Sequence, residues 1–458
     1  MPTSFEFIPA DSSGRSNAAE RTRIRSRCMQ GKNKRDGSRR SLREARRGTP
    51  KPALSVPQPP PSNVAISLAE DIGRQSRETL FKVFAYKSLE QSMSPLKDCV
   101  SFSPIETKCF EWLFNDASFL HALLLVGSMM NDFNLYNIQQ PGSKTYKYLR
   151  KTILLLNIKL GEQEAHSKDS TLYVVITLTM LAAWSSDWRA ASAHIAGLYK
   201  IVELRGGLEY LAQRPKLHFK LDRIDLAWAL SSGERPYFLP IVVSWDPLFP
   251  RDQLPNHVRA SMLSMEGNVD ERLATVFHDL QFLTYTINTH AQKHTKWEAD
   301  SFQAILNSIQ ARLLRLPSTP TDPLSESMRL GMLAFLTTMF AMPGRKIPYP
   351  FLAHRFRGLF QKWKNADDRK RRPTVQLWAL TVGAVSAVVD VDEDWFLEAW
   401  KACSSALETS WEEARLRLLS VMWIECMHDN SGRMAFQQLC TRVHGSEPNL
   451  QGSYEGRS

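Results

Sequence analysis

The sequence predicts an all-α fold, a large array of packed antiparallel helices preceded by a disordered basic N-terminal arm. Three observations lead there. Beyond residue 64, apolar residues recur at helical spacing almost to the C-terminus. Capping residues and glycine stops bracket those stretches. Alternating strand patterns are sparse, and FLPIVVSW at 238–245 is the best candidate for an extended piece. The expected division is an arm and Pro-rich linker over 1–63, a helical body over 64–445, and a flexible tail over 446–458.

Residues 1–14 read as a short extended segment with Phe5, Phe7 and Ile8 in contact positions. The basic arm follows. The run TPKPALSVPQPPP at 49–61 has six prolines in thirteen residues. Such a run cannot continue a helix and favours extended polyproline conformations, so a boundary is placed near residue 64. SFSPIETKCFEWLFND then offers a helix start, with Ser103 as N-cap, Pro104 at the first helical position and Glu106 three residues past the cap. SKTYKYLRKTILLLNIKLG runs from a Ser143 cap to a Gly161 stop, with Tyr148, Ile153, Leu156 and Leu160 among its apolar positions. DSTLYVVITLTMLAAW at 169–184 is apolar nearly all round, the mark of a buried helix. DWRAASAHIAGLYKIVELRGG places Ala191, Ile195, Leu198 and Val202 on one face and stops at Gly206 and Gly207. Further helices are expected near 215–231, 270–292, 297–314, 325–342, 350–365, 374–390, 392–407, 409–428 and 431–443. No fixed-period repeat names a solenoid.

The 458 residues suffice for one large or two ordinary folded units, and the 43% apolar content is that of a globular protein. The net charge of +11 is unevenly spread. Between residues 15 and 51, fourteen Lys and Arg face three acids, so the arm alone carries +11 and the rest of the chain is near neutral. The high pI therefore describes an arm that seeks polyanions: nucleic acid, an acidic transport receptor or an anionic surface. The first thirty residues lack the apolar run of a signal peptide, and the longest apolar runs, 119–130 and 172–184, are short for a membrane span. Six scattered cysteines make no disulfide framework. These features fit a reducing intracellular compartment.

Catalytic signatures are missing. PGSKT at 141–145 lacks the glycine spacing of a phosphate loop, and there is no G-x-G-x-x-G, H-E-x-x-H or G-x-S-x-G. Cys426, His428, Cys440 and His444 have zinc-binding side chains, but residues two apart on a helix diverge by roughly 200°, so a metal site is not expected. His194 lies inside a helical pattern with no nucleophile paired to it, and reads as a packing or hydrogen-bonded histidine. Asp222 and Asp225 flank Arg223 and read as surface ion partners on an amphipathic helix. Arg205–Gly206–Gly207 is single, sits at a helix end, and reads as a C-cap. No enzyme activity and no cofactor are expected.

The segment AHIAGLYKIVELRGGLEYLAQRPKLHFKLDRIDLAWALSSGERPYF at 193–238 resembles the regulatory helical domain of fungus-specific transcription factors. The residues that carry the resemblance are His194, Gly197 with Leu198, Val202 with Arg205, Gly206 and Gly207, Arg223 and Asp225, and Pro236 with Phe238. ESMRLGMLAFL, QLWALTVGAV and SWEEARLRLLSVMWIE are similar to later parts of the same family, so the likeness spans roughly 105–440. At the N-terminus, FEFIPA, then Ile24, Arg25, Ser26 and Met29, then KNKR at 32–35 resemble a recurring fungal arrangement, with Arg27 where the family more often has His. Many such regulators carry a binuclear zinc cluster built from six closely spaced cysteines. Here that region has Cys28 alone, and the next cysteine is Cys99. The resemblance implies a regulator body without that DNA-reading module.

The arm then has three open readings. Lys32, Lys34, Arg35, Arg39, Arg40, Arg43, Arg46 and Arg47 resemble a bipartite nuclear localisation signal. That reading leads; non-specific nucleic-acid contact and a solvated tail are the alternatives behind it. Together these readings lead to a nuclear transcriptional regulatory protein of fungal type. Its partners would be a nuclear import receptor, other proteins and, through the arm, DNA; no membrane is involved. A helical interaction scaffold without DNA binding is the alternative.

Overall fold

The structure, a computed structural model, describes residues 67–93, 95–101, 108–132, 141–240, 242–250, 269–317, 322–339, 349–364, 372–386, 390–391, 393–405 and 410–444. They lie within the compact unit Pro59–Ser458. The arm, its basic residues and the tail fall outside the described residues, as does the start signal at Ser103, Pro104 and Glu106.

The fold is all-helical, with sixteen α-helices among the described residues. The first eight are α1 (Arg74–Met93), α2 (Lys108–Asn115), α3 (Ala117–Met130), α4 (Ser143–Leu160), α5 (Asp169–Trp184), α6 (Trp188–Leu204), α7 (Gly207–Ala212) and α8 (Pro215–Ser232). The second eight are α9 (Glu271–Gln292), α10 (Ala299–Arg315), α11 (Pro323–Thr338), α12 (Pro350–Lys364), α13 (Pro373–Ser386), α14 (Asp394–Ser405), α15 (Trp411–Val421) and α16 (Glu425–His444). A two-residue parallel pair, β1 (Val100–Ser101) on β2 (Trp297–Glu298), is the strand content of the described residues.

Two hydrophobic cores organise these helices. The smaller is built by α1–α8 around α3 and α5, whose side chains are buried on nearly every face. The larger is built by α8–α16 around α11 and α13. At the α11–α13 crossing, Gly331 lies directly against the buried Trp378 ring, where a Cβ would collide with the indole. Helix α8 serves both cores. Leu217, Leu221, Ile224 and Trp228 enter the smaller one, and Phe219, Leu226 and Leu230 the larger.

Several sequence expectations need correction. FLPIVVSW is not a strand: residues 238–240 and 242–245 are irregular. The N–H groups of Tyr237 and Phe238 are bound by the Asp225 carboxylate, and Pro240 has none to give. Helix α4 is capped by Gly142 rather than Ser143, because Asp132 accepts from Gly142 N–H at 2.8 Å and from the Thr145 hydroxyl at 2.6 Å. The helix expected over 409–428 stops at Val421, and α16 begins at Glu425. The break works because its carbonyls find side-chain donors. Gln281 reaches Val421 O at 2.9 Å, Trp378 reaches Met422 O at 2.7 Å and Asn288 reaches Trp423 O at 2.8 Å.

Candidate functional site

The residues that carry the resemblance gather around α6 and α8, where they do three different jobs. Arg205 follows the last turn of α6, ahead of the left-handed Gly206 and Gly207. Its guanidinium donates to His166 O at 2.5 Å, to Lys168 O and to Asp169 Oδ1, both at 2.7 Å, and to the Tyr210 hydroxyl at 2.5 Å. Arg214 takes the other oxygen of Asp169 at 2.8 Å. Burial pushes the Asp169 carboxyl up, but the two guanidinium groups outweigh it and hold the carboxyl below its ordinary range. This knot fastens the end of α6 to the start of α5. The C-cap reading of Arg205–Gly207 therefore holds, with a cross-link that the sequence did not reveal.

Asp225, Tyr237 and Phe238 form a second knot, and Pro236 just before them lines a cleft at the end of α8. The Asp225 carboxylate accepts the N–H of Tyr237 at 2.8 Å and that of Phe238, whose ring is fully buried. It thus folds the chain after α8 back onto α8. Asp222, Arg223 and Asp225 are not surface ion partners: both carboxyls are buried and the Arg223 guanidinium is enclosed. The physical reason is that α8 is apolar on both of its long faces, so its charged residues have little water to reach. Burial pushes the Asp222 carboxyl up to about 8, with Arg223 acting against it. Burial also pushes the Arg223 guanidinium down to about 10.

His194 and Gly197 do a third job. They open onto a groove of about 460 Å³ between α4 and α6. Its walls include Ile153, Leu156 and Leu160 of α4, Leu178 of α5 and Leu204 of α6. A Cβ built on Gly197 meets nothing within 4 Å. His194 is half-buried, and burial lowers its proton affinity, so its ring is neutral at physiological pH. Leu204, which lines the groove, is exposed at 58%, and Asn157, Glu162, His166 and Lys200 add polar groups to it. A groove with aliphatic walls and polar groups beside them is suited to an amphipathic helix from another protein.

A second cleft, of about 430 Å³, lies between the ends of α8 and α10 and the walls of α11 and α12. Two of its arginines are committed within the protein: Arg315 donates to Pro240 O, and Arg329 pairs with Glu326 at 3.3 Å. Arg235, which also lines it, is exposed.

Among the described residues, no group of three or more His, Cys, Asp or Glu side chains could hold a metal ion. His428 is buried, and both of its ring nitrogens are in use. Nε2 contacts the Thr338 hydroxyl at 2.8 Å and Nδ1 accepts Ile424 N–H at 3.2 Å. No helix of the described residues is long and apolar enough to cross a membrane. No family model matches the chain, and neither a curated protein nor a solved structure does.

Proposed function

We propose that the chain is a nuclear transcriptional regulatory protein of fungal type. In this reading the basic arm is disordered, enters the nucleus on an import receptor and contacts DNA phosphates. The body is an array of antiparallel helices that takes a protein partner. The supporting observation is one chain that joins a +11 arm to a near-neutral helical body, with an exposed apolar groove lined by the motif residues His194 and Gly197. The groove, with aliphatic side chains along α4, α5 and α6, suits the binding of an apolar protein surface. It also favours the second reading, a helical interaction scaffold without DNA binding.

The two readings differ in where the protein goes. Fluorescently tagged full-length chain is compared with a chain lacking residues 15–51. The regulator reading expects the intact protein in the nucleus and the shortened one outside it. An intact protein that stays in the cytoplasm leaves the scaffold reading standing and removes the regulator.

A further inference from the structure

Cys99 and Cys426 lie far apart in the sequence and meet in the fold. After α1 the chain makes a 3-10 turn, Pro95–Asp98, and then runs through Cys99 into β1. This strap leaves the smaller core and enters the larger one: Leu96, Cys99 and Val100 are buried there, and Cys99 O accepts Trp297 N–H at 2.8 Å. The 3-10 turn packs against α16. Cys426 stands in the first turn of α16 and is exposed, whereas Cys99 is fully enclosed. The packing of this turn on α16 brings the two thiols close enough to shift each other's proton affinity, and Cys99 Sγ donates to Leu96 O at 3.3 Å.

We propose that Cys426 and Cys99 are a peroxide-oxidisable dithiol, with Cys426 the attacking thiol and Cys99 the resolving one, that closes a disulfide between the strap and α16. This holds whether or not the regulator reading does. The geometry divides the two roles: an attacking thiol must meet the oxidant, and Cys426 is the exposed one. The helix N-terminus beneath it favours the anion. The neighbouring Cys99 thiol acts the same way and, with burial, Asp98 and Glu425 opposing, draws the Cys426 thiol below its ordinary value. The proton stays on Cys99, whose Sγ donates to Leu96 O and whose thiol is pushed up by Cys426 and by burial.

The chemistry balances with hydrogen peroxide as oxidant. The Cys426 thiolate attacks one peroxide oxygen, the O–O bond breaks, and a sulfenic acid forms while the other oxygen leaves and is protonated to water. The Cys99 sulfur then displaces the sulfenic oxygen; the S–S bond forms and a second water leaves. Two thiols are oxidised by two electrons, and one peroxide becomes two waters. Closure staples the strap, and with it the chain emerging from α1, to the last helix of the body.

The test is peptide mapping under non-reducing conditions after full-length protein is titrated with hydrogen peroxide. The expected result is a Cys99–Cys426 linked peptide. Before oxidation, Cys426 should alkylate about tenfold faster than Cys440, a half-exposed thiol whose proton is held by burial. In Cys426→Ser, an exposed substitution that spares the core, Cys99 should stay reduced. A Cys426 that alkylates no faster than Cys440 overturns the proposal. So does a Cys426 that accumulates as sulfenic acid in the intact protein, or that links only to other cysteines.

Discussion

At the scale of single residues, the motif arginine and aspartates act through geometry that a motif does not display. Arg205 serves four acceptors from one planar fork. A lysine has one ammonium and cannot span them. Arg205→Lys should therefore cost about 3 kcal/mol of stability, read as a shift in the denaturant midpoint at constant slope. A loss below about 0.5 kcal/mol, the level of an ordinary surface change, contradicts the knot. Asp222 gives a pH signature. Its folded value is raised to about 8 from 3.8. Between those values the native state holds a proton that the unfolded state has released, so stability falls as pH rises through this window. Asp222→Asn removes the titration. Relative to the unsubstituted chain its stability should gain little at pH 4 and more than about 1 kcal/mol at pH 8. Parallel stability curves would contradict it. The residue types were legible in the sequence, but their burial was not. LDRIDLAWAL looks amphipathic in isolation, and only its position between two cores makes Asp222 and Asp225 interior.

At the scale of elements, the helices legible in sequence were those whose signals are local. The range 169–184 reads as helical because it is apolar throughout, and α5 occupies those positions. The α15–α16 break was not legible, because its cause is remote: donors on α9 and α13 satisfy carbonyls of residues 421–423. For the same reason β1 and β2 could not be foreseen, since two-residue strands have no period. The groove between α4 and α6 was also hidden. Ile153, Leu156 and Leu160 read as core positions, and only Leu156 of the three is buried. Gly197 provides the probe. A side chain there meets open space, and replacing glycine within a helix by alanine stabilises by about 1 kcal/mol. Gly197→Leu should keep the fold, hold or raise the melting temperature, and lower capture of proteins by the full-length chain because its side chain fills the groove. Unchanged capture by a folded Gly197→Leu protein would remove the groove from the function.

At the scale of the whole molecule, charge and apolar surface are divided between parts of the chain. The +11 sits in residues 15–51, while the body is nearly neutral. The arm could supply attraction to phosphate at any sequence, with a strong dependence on salt. It has no zipper or second reading element to choose bases. In the regulator reading, choice of locus then comes through what the body binds. Genome-wide chromatin occupancy, mapped for the intact chain and for Gly197→Leu, tests that most directly. A regulator that borrows its address from a partner predicts discrete occupied loci for the intact chain and their loss in Gly197→Leu, with both proteins nuclear and folded. An intact chain that occupies no discrete loci contradicts it.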